Sequence, residues 1–205
     1  MTHPSDKNQK GFTLIEVIVA IAVVAILAGI ITPSVIKHLD DSKRARAQND
    51  CLVIGSAVAS FYKDLGRMPT ANGAGAANIT LLVSDGTIPT LGAGITIWNR
   101  ATTNGTTDLL SNHLSANTPK SQSAWTYPVP PAELTWRGPY ASSFPSDPWG
   151  KRYAVNIGNW SAAYPAVWVL SAGPDGIIQT AFSPAAPAVG TTLTASGDDI
   201  VYRLR

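Results

Sequence analysis

The stretch KGFTLIEVIVAIAVVAILAGIITP, residues 10–33, decides how this chain is organised. Residues 17–31 include no charged side chain and none that forms hydrogen bonds. Residues 12–32 reach the roughly 20 residues that a helix needs to cross about 30 Å of hydrocarbon. The stretch therefore predicts a membrane-spanning helix. Its single carboxylate, Glu16, is costly in such a segment and calls for a partner.

A hydrophilic leader, residues 1–11, precedes the apolar run and ends in a glycine. A secretory signal peptide would instead carry a small-residue cleavage site after its apolar core. Lys7 and Lys10 favour a cytoplasmic leader by the positive-inside rule. On hydropathy alone, the simplest interpretation is a single-pass anchor with its N-terminus inside.

The composition of the 205 residues narrows the classes of function. A net charge of +2 gives no reason to expect a nucleic-acid partner. The single cysteine, Cys51, excludes an intramolecular disulfide, and three scattered histidines disfavour a zinc site. Motifs of serine hydrolases, P-loop proteins, zinc proteases and dinucleotide-binding enzymes are absent from the sequence, so we predict a protein that is not an enzyme.

A helical pattern continues beyond the apolar run. Apolar residues recur at spacings of four and three, which predicts one buried stripe on a helix: Ala47, Cys51, Ile54, Val58, Phe61 and Leu65. Gly66 is a suitable C-cap and Pro69 cannot continue the helix. Residues 12 to about 65 are therefore predicted to form one helix, with Cys51 as a small core residue.

The remainder of the chain predicts a small sheet. Short β-branched and aromatic runs predict strands at ITLLV (79–83), GITIW (94–98), RYAVNI (152–157), AVWVLS (166–171) and DIVYRL (199–204), and DLLSNHL (108–114) predicts a helical turn. Four aromatic side chains are interpreted as packing residues: Trp136, Tyr140, Trp149 and Tyr153. The predicted class is α+β, a long N-terminal helix packed on a small antiparallel sheet.

Several motifs resemble one known family. G-F-T-L-I-E, residues 11–16, followed by the apolar run, resembles the processing site of type IV pilins and of type II secretion pseudopilins. The body resembles the major, G-type pseudopilin in W-R-G-P-Y (136–140), D-P-W-G-K-R-Y (147–153), S-A-G-P-D-G (171–176) and S-G-D-D-I (196–200). The resemblance implies cleavage between Gly11 and Phe12 by a prepilin peptidase, followed by N-methylation of Phe12.

The resemblance also implies an organisation and a function. The organisation is a leader peptide (1–11), a membrane and filament-core helix (12–33), its continuation in the head (34–69), a variable insertion (70–133) and a β-sheet head with a calcium loop (134–205). The function would be that of a structural subunit in the bacterial inner membrane, head in the periplasm. A platform with minor pseudopilins and a cytoplasmic ATPase would assemble it into a homopolymeric filament for protein secretion. Glu16 would pair with the Phe12 amine of a neighbouring subunit.

Two other interpretations remain open. The chain could be a subunit of a surface type IV pilus, with its insertions serving adhesion. It could also be a membrane-anchored, calcium-dependent binding module that keeps its leader and stays monomeric. The intact mass of the protein extracted from membranes would separate the binding module from both filament subunits.

Two glycine-containing loops near the C-terminus carry three acids, Asp175, Asp198 and Asp199. Such residues are common in solvated turns. Calcium, however, takes about six to eight oxygen ligands, often from carboxylates and carbonyls. The resemblance implies a structural calcium ion bound by these three side chains, the carbonyls of Ala172 and Ile177, and an oxygen of Ser196. The stretches 70–133 and 178–195 are longer than is typical of the family, and we expect them to decorate a filament surface.

Overall fold

The computed structural model describes residues 11–70, 79–93, 95, 98, 106–157, 167–181 and 195–204. It divides into two compact units, Met1–Ser42 and Lys43–Arg205. Residues 1–10 of the leader lie outside the described residues, as does most of the strand predicted at 94–98. The described Ile95 and Trp98 are not part of a strand.

Helix α1, Leu14–Leu65, confirms the prediction of one continuous helix. Pro33 lies inside it, and Gly66 ends it with a φ of 66° while donating its N–H to the Tyr62 carbonyl at 2.8 Å. By length and composition the helix includes a segment apolar enough to cross a membrane. No part of that segment is buried within the protein, as expected if something else covers it.

The described residues of the head form two sheets, one short α-helix and two 3-10 helices, Pro119–Ser121 and Ser123–Trp125. The elements that follow α1 are β1 (Leu81–Val83), β2 (Thr90–Leu91), β3 (Thr107–Leu109), α2 (Leu110–Leu114), β4 (Ala154–Asn156), β5 (Trp168–Ser171), β6 (Ile177–Ile178) and β7 (Ile200–Arg203). The larger sheet has the order β3-β1-β4-β5-β7, and β2 pairs with β6 in a second, two-stranded sheet. The strand predictions near 79–83, 152–157, 166–171 and 199–204 are thus confirmed, as is the helical turn in 108–114.

The larger sheet differs from the prediction because it is mixed. β1 runs parallel to β3 and antiparallel to β4, whereas the β4–β5 and β5–β7 pairs are antiparallel. Residues 84–106 join β1 to β3, and a connection of this length allows the chain to cross over and re-enter the sheet in the same direction. An antiparallel neighbour would need only a short hairpin.

The segment 70–133 contributes directly to the head. β1, from this segment, is an interior strand whose three residues are all buried. Leu82 belongs to the core that also includes the α1 stripe, while Leu81 and Val83 belong to a second core on the other face. The expectation that this segment only decorates the surface is therefore wrong for β1 and β3. β1 contributes apolar side chains to both cores, and Leu109 of β3 packs against the second core.

The core between α1 and the sheet confirms the predicted stripe. Ala47, Cys51, Ile54, Val58, Phe61 and Leu65 are all buried. Burial raises the pKa of the Cys51 thiol to about 12, so this cysteine is a core residue and not a reactive thiol. The predicted packing aromatics also contribute, since Tyr153 is buried in this core and three others pack against it: Trp136, Tyr140 and Trp149.

Gly55 of α1 packs closely against Tyr202 of β7. A Cβ atom there would lie 2.5 Å from Tyr202 Cε1, so a larger side chain must displace the tyrosine. We expect Gly55→Val to lower the free energy of unfolding by about 1–3 kcal/mol through overpacking. Thermal unfolding of the detergent-solubilised chain, followed by tryptophan fluorescence, measures this loss, because all tryptophans lie at residue 98 or beyond.

Gly29→Val is the matched control, because no atom lies within 4 Å of a Cβ at Gly29, which is also in α1. This variant should leave the melting temperature of the head unchanged. Equal melting temperatures for Gly55→Val and the unmodified protein would show that Tyr202 can move away at no cost.

Candidate functional site

The predicted processing site lies directly before α1. Gly11 and Phe12 are both exposed, and no atom comes within 4 Å of a Cβ placed on Gly11. The Phe12 side chain is 88% exposed, which leaves it without a packing partner in its own chain. This arrangement is open to an enzyme that cleaves the bond between the two residues.

Glu16 takes part in a capping box with Thr13. Its Oε2 atom accepts hydrogen bonds from the Thr13 backbone N–H and from Thr13 Oγ1, each at 2.8 Å. The Glu16 N–H donates in return to Thr13 Oγ1 at 3.3 Å. This reciprocal pattern satisfies donors at the start of a helix and places a negative charge at its positive end. The carboxylate therefore has a partner within its own chain, a role that the spacing T-x-x-E indicated and our sequence analysis missed.

The two acidic loops meet in the head. The first joins β5 to β6 and carries Asp175, and the second precedes β7 and carries Asp198 and Asp199. Asp175 N–H donates to Asp198 Oδ2 at 3.1 Å. Gly173, at a φ of 65°, allows this contact, because a Cβ there would overlap the Asp198 carbonyl. The three predicted acids are thus brought into one region, with Asp198 bridging the loops.

Asp199 is the most buried of these acids, with 6% of its surface exposed. Its Oδ2 accepts hydrogen bonds from the backbone N–H groups of Gln179 at 2.8 Å and Thr180 at 2.5 Å. Burial raises the pKa of Asp199, and hydrogen bonds from Thr180 and Gln179 oppose that shift without cancelling it. A nearby positive charge would stabilise the ionised form of this carboxyl group.

Three buried oxygens of this region accept no hydrogen bond from the described residues. They are Gln179 Oε1, Asp198 Oδ1 and Asp199 Oδ1. A buried acceptor without a partner is costly, and a hard cation such as calcium binds oxygen of this kind. The donor set fits calcium chemically. Within the described parts of the chain, however, no three acidic, histidine or cysteine side chains are close enough to form a ready-made metal site.

Of the other predicted ligands, Ala172 and Ser196 lie in the two loops and Ile177 is the first residue of β6. Ala172 is buried, Ile177 is half-buried and Ser196 is exposed. Ile177 N–H donates to Asp175 Oδ1 at 2.7 Å, which closes the first loop. Ser196 N–H donates to Thr180 Oγ1 at 3.0 Å and so connects the second loop to the residues that follow β6.

A buried polar cluster in the segment 70–133 had no signal in the sequence. His113 is completely buried, with Nδ1 at 2.6 Å from Tyr127 Oη and Nε2 at 2.8 Å from Asp108 Oδ2. Asp108 also accepts hydrogen bonds from Lys120 N–H at 2.6 Å and Asn112 Nδ2 at 2.8 Å. The cluster contacts the core of the head, because the Tyr127 ring packs edge-on against Phe61 of α1, with centroids 4.9 Å apart.

The His113 cluster should make the stability of the head depend on pH. Burial lowers the pKa of His113, although the Asp108 carboxylate acts in the opposite direction. Below about pH 6.5 the unfolded chain therefore binds a proton that the folded chain does not, and stability falls as the pH decreases. The expected slope is up to about 1.4 kcal/mol per pH unit between pH 6.5 and the lowered pKa.

Urea unfolding at a series of pH values from 7.5 to 5 measures this slope. His113→Asn should remove the contribution that begins near pH 6.5, whereas His38→Asn, at an exposed position on α1, should retain it. If His113→Asn and the unmodified protein lose stability in parallel, another group is responsible.

Comparisons with known proteins agree with the geometry at the start of α1. A family profile described as "Prokaryotic N-terminal methylation motif" matches residues 6–32. The type II secretion system core protein G of Escherichia coli (strain K12) is 24% identical over 173 residues, which cover 84% of this chain and 87% of that protein. No solved structure matches at a comparable level of significance.

Two further relatives match over shorter stretches. The type II secretion system core protein G of Klebsiella michiganensis is 33% identical over 64 residues, 31% of this chain and 45% of that protein. The fimbrial protein EcpC of Eikenella corrodens is 39% identical over 66 residues, 32% of this chain and 43% of that protein. These two matches span less than half the length of either relative.

The methylation motif thus lies at the start of an apolar helix that continues into an α+β head, which is the arrangement that the resemblance to type IV pilins implies. Over most of its length the chain is similar to a core protein G of type II secretion. Its apolar N-terminal helix fits a filament subunit anchored in the inner membrane.

Proposed function

We propose that this chain is a structural subunit of a type II secretion pseudopilus. The observation that carries the proposal is the methylation motif at the start of an exposed apolar helix. The match to a core protein G over 84% of the chain supports the choice of pseudopilus. The head would lie in the periplasm, and the protein would contribute architecture, not catalysis. Its partners would be further copies of itself, minor pseudopilins, a prepilin peptidase and the assembly platform with its ATPase.

Glu16 would change partners during assembly. In the single subunit its carboxylate accepts hydrogen bonds from Thr13, which stabilise the start of α1. Cleavage after Gly11 would create an amine on Phe12, and methylation would leave that amine positively charged. As helices leave the lipid and pack together, the carboxylate would pair with the amine of a neighbouring subunit. This pairing favours one axial offset between subunits, because other offsets leave a buried charge without a partner.

Co-expression with a prepilin peptidase tests the proposal. The intact mass should fall by residues 1–11 and rise by one methyl group, and filaments should appear by electron microscopy. Gly11→Leu should block cleavage and give neither result. An unprocessed, monomeric protein would contradict the proposal and favour the calcium-dependent binding module.

A surface pilus subunit is the second candidate, supported by the match to the fimbrial protein EcpC. Both candidates predict processing and filaments, so location separates them. Filaments of a pseudopilus should depend on the secretion platform, and deletion of the subunit should stop protein secretion. Continued secretion together with loss of adhesion would favour the surface pilus.

We also propose that the acidic loops hold a structural calcium ion. Asp175, Asp198 and Asp199 would provide side-chain oxygens, while Ala172, Ile177 and Ser196 would complete the ligand set. The unpartnered oxygens of Asp198 and Asp199 support this assignment. The ion would neutralise neighbouring carboxylates and tie two loops together, a task that a disulfide cannot perform in a chain with one cysteine.

A further inference from the structure

We propose that Gln179 supplies an additional, uncharged oxygen ligand to this cation, and that Gly92 and Trp98 hold it in position. The inference rests on the proposed calcium site and adds a residue that our sequence analysis did not select. It also gives part of the segment 70–133 a function.

The Gln179 side chain has a defined orientation. Its Nε2 donates a hydrogen bond to Asp175 Oδ2 at 3.0 Å. This bond identifies the nitrogen end of the amide, because a carboxylate oxygen can only accept. The other end, Oε1, is buried and accepts no hydrogen bond from any described residue. The amide therefore offers a free oxygen from the same side chain that contacts a predicted ligand.

Gly197 of the second loop makes room for that oxygen. A Cβ on Gly197 would coincide with Gln179 Oε1, so no larger residue could occupy this position without moving the amide. Gly197 also adopts a φ of 65°, which favours glycine. The next two residues, Asp198 and Asp199, each carry a buried oxygen without a partner. The Gln179 oxygen thus lies over the segment that provides two of the proposed ligands.

The backbone around Gln179 is fixed from several directions. Its N–H donates to Asp199 Oδ2 at 2.8 Å. On one side, Gly92 N–H donates to the Ile178 carbonyl at 2.8 Å, beside the parallel pairing of β2 with β6. On the other side, Trp98 Nε1 donates to the Thr180 carbonyl at 3.2 Å.

The contacts with Gly92 and Trp98 hold both neighbours of Gln179, Ile178 and Thr180, in place. Gly92 suits this position, since a Cβ there would lie 2.9 Å from the Ile178 carbonyl oxygen. The Trp98 ring is buried in the second core, on the face of the larger sheet opposite the α1 stripe, and Ile178 belongs to the same core. A ligand on a backbone held in this way loses little freedom on binding, and such preorganisation strengthens binding.

The chemistry of the region favours a neutral ligand at this position. Three carboxylates already exceed the two positive charges of calcium, and a further acid would add repulsion. An amide oxygen adds a ligand without adding charge. Calcium accepts amide oxygens in flexible geometries, as it does backbone carbonyls.

Calcium titration of the full-length, detergent-solubilised protein by isothermal calorimetry tests the inference. Gln179→Leu removes the oxygen at similar size, and Gln179→Asn shortens the side chain so that its oxygen cannot reach Gly197. We expect each variant to weaken calcium binding by about tenfold or more. Gln122→Leu, at an exposed position, is the matched control and should bind as the unmodified protein does.

Melting in chelator first establishes that each variant is folded, and Gln179→Asn carries the test if leucine perturbs the loops. If the unmodified protein binds no calcium, the calcium site and the role of Gln179 are both wrong. If it binds calcium and both Gln179 variants bind equally well, the role of Gln179 alone is overturned, and the calcium site stands.

Discussion

Replacing Glu16 by alanine is expected to reduce filament yield to a trace while leaving cleavage and membrane insertion intact. In the proposed filament this variant leaves the Phe12 amine of each neighbour buried without a counter-charge, which costs about 3–5 kcal/mol per contact. A penalty of that size corresponds to more than about a hundredfold in each association step. Immunoblotting of the sheared filament fraction measures the yield, and the intact mass of the membrane fraction verifies processing.

The control and a second variant separate the two roles of Glu16. Glu133→Ala removes the only other glutamate of the chain, at an exposed position, and should assemble normally. Glu16→Gln retains an oxygen that can accept from Thr13 but loses the charge. If Glu16→Gln forms filaments at the normal yield, the capping box accounts for Glu16 and charge pairing between subunits does not. Normal assembly of Glu16→Ala would overturn both roles.

Calcium should raise the melting temperature of the head by about 5–11 °C at a concentration one hundred times its dissociation constant. A ligand that binds only the folded state stabilises it by about 2.7 kcal/mol at that ratio. For a chain of about 200 residues, each kcal/mol corresponds to about 2–4 °C. Tryptophan fluorescence of the full-length protein in detergent, with calcium and with chelator, measures the shift.

Asp198→Ala should eliminate the response to calcium, because Asp198 bridges the two loops and has a buried oxygen available. Asp85→Ala is the matched control, since Asp85 is an exposed acid outside these loops. It should retain the full shift. If calcium does not change the melting temperature, the three acids are ordinary turn residues and the surface-pilus alternative is strengthened.

The sequence predicted the elements that have strong local patterns. The apolar run and the stripe from Ala47 to Leu65 determine α1, because a spacing of three and four residues has meaning within one helix. The strand at residues 79–83 was equally visible as a β-branched and aliphatic run. The position of β1 between β3 and β4 was not predicted, because parallel pairing with β3 depends on how the chain returns over residues 84–106. No local sequence pattern predicts the course of this connection.

The candidate site was predicted in part for a similar reason. The acids Asp175, Asp198 and Asp199 were found through a resemblance that preserves their loop motifs. Gln179 has no such signal, because it is a single amide whose role depends on Gly197, 18 positions further along the chain. The role of His113 could likewise not be predicted, because its contacts with Asp108 and Tyr127 are formed only in the folded chain.

The interior position of β1 in the larger sheet has a consequence for how this subunit can be recombined with others. β1 forms hydrogen bonds with β3 on one side and β4 on the other. A chimaera that exchanged residues 70–133 for a short connection would turn β4 into an edge strand with unpaired backbone groups, and such edges invite aggregation. We therefore expect an exchange between subunits to give a folded head only when the replacement segment supplies both β1 and β3. The boundaries of such a segment are set by strand pairing and not by sequence variability.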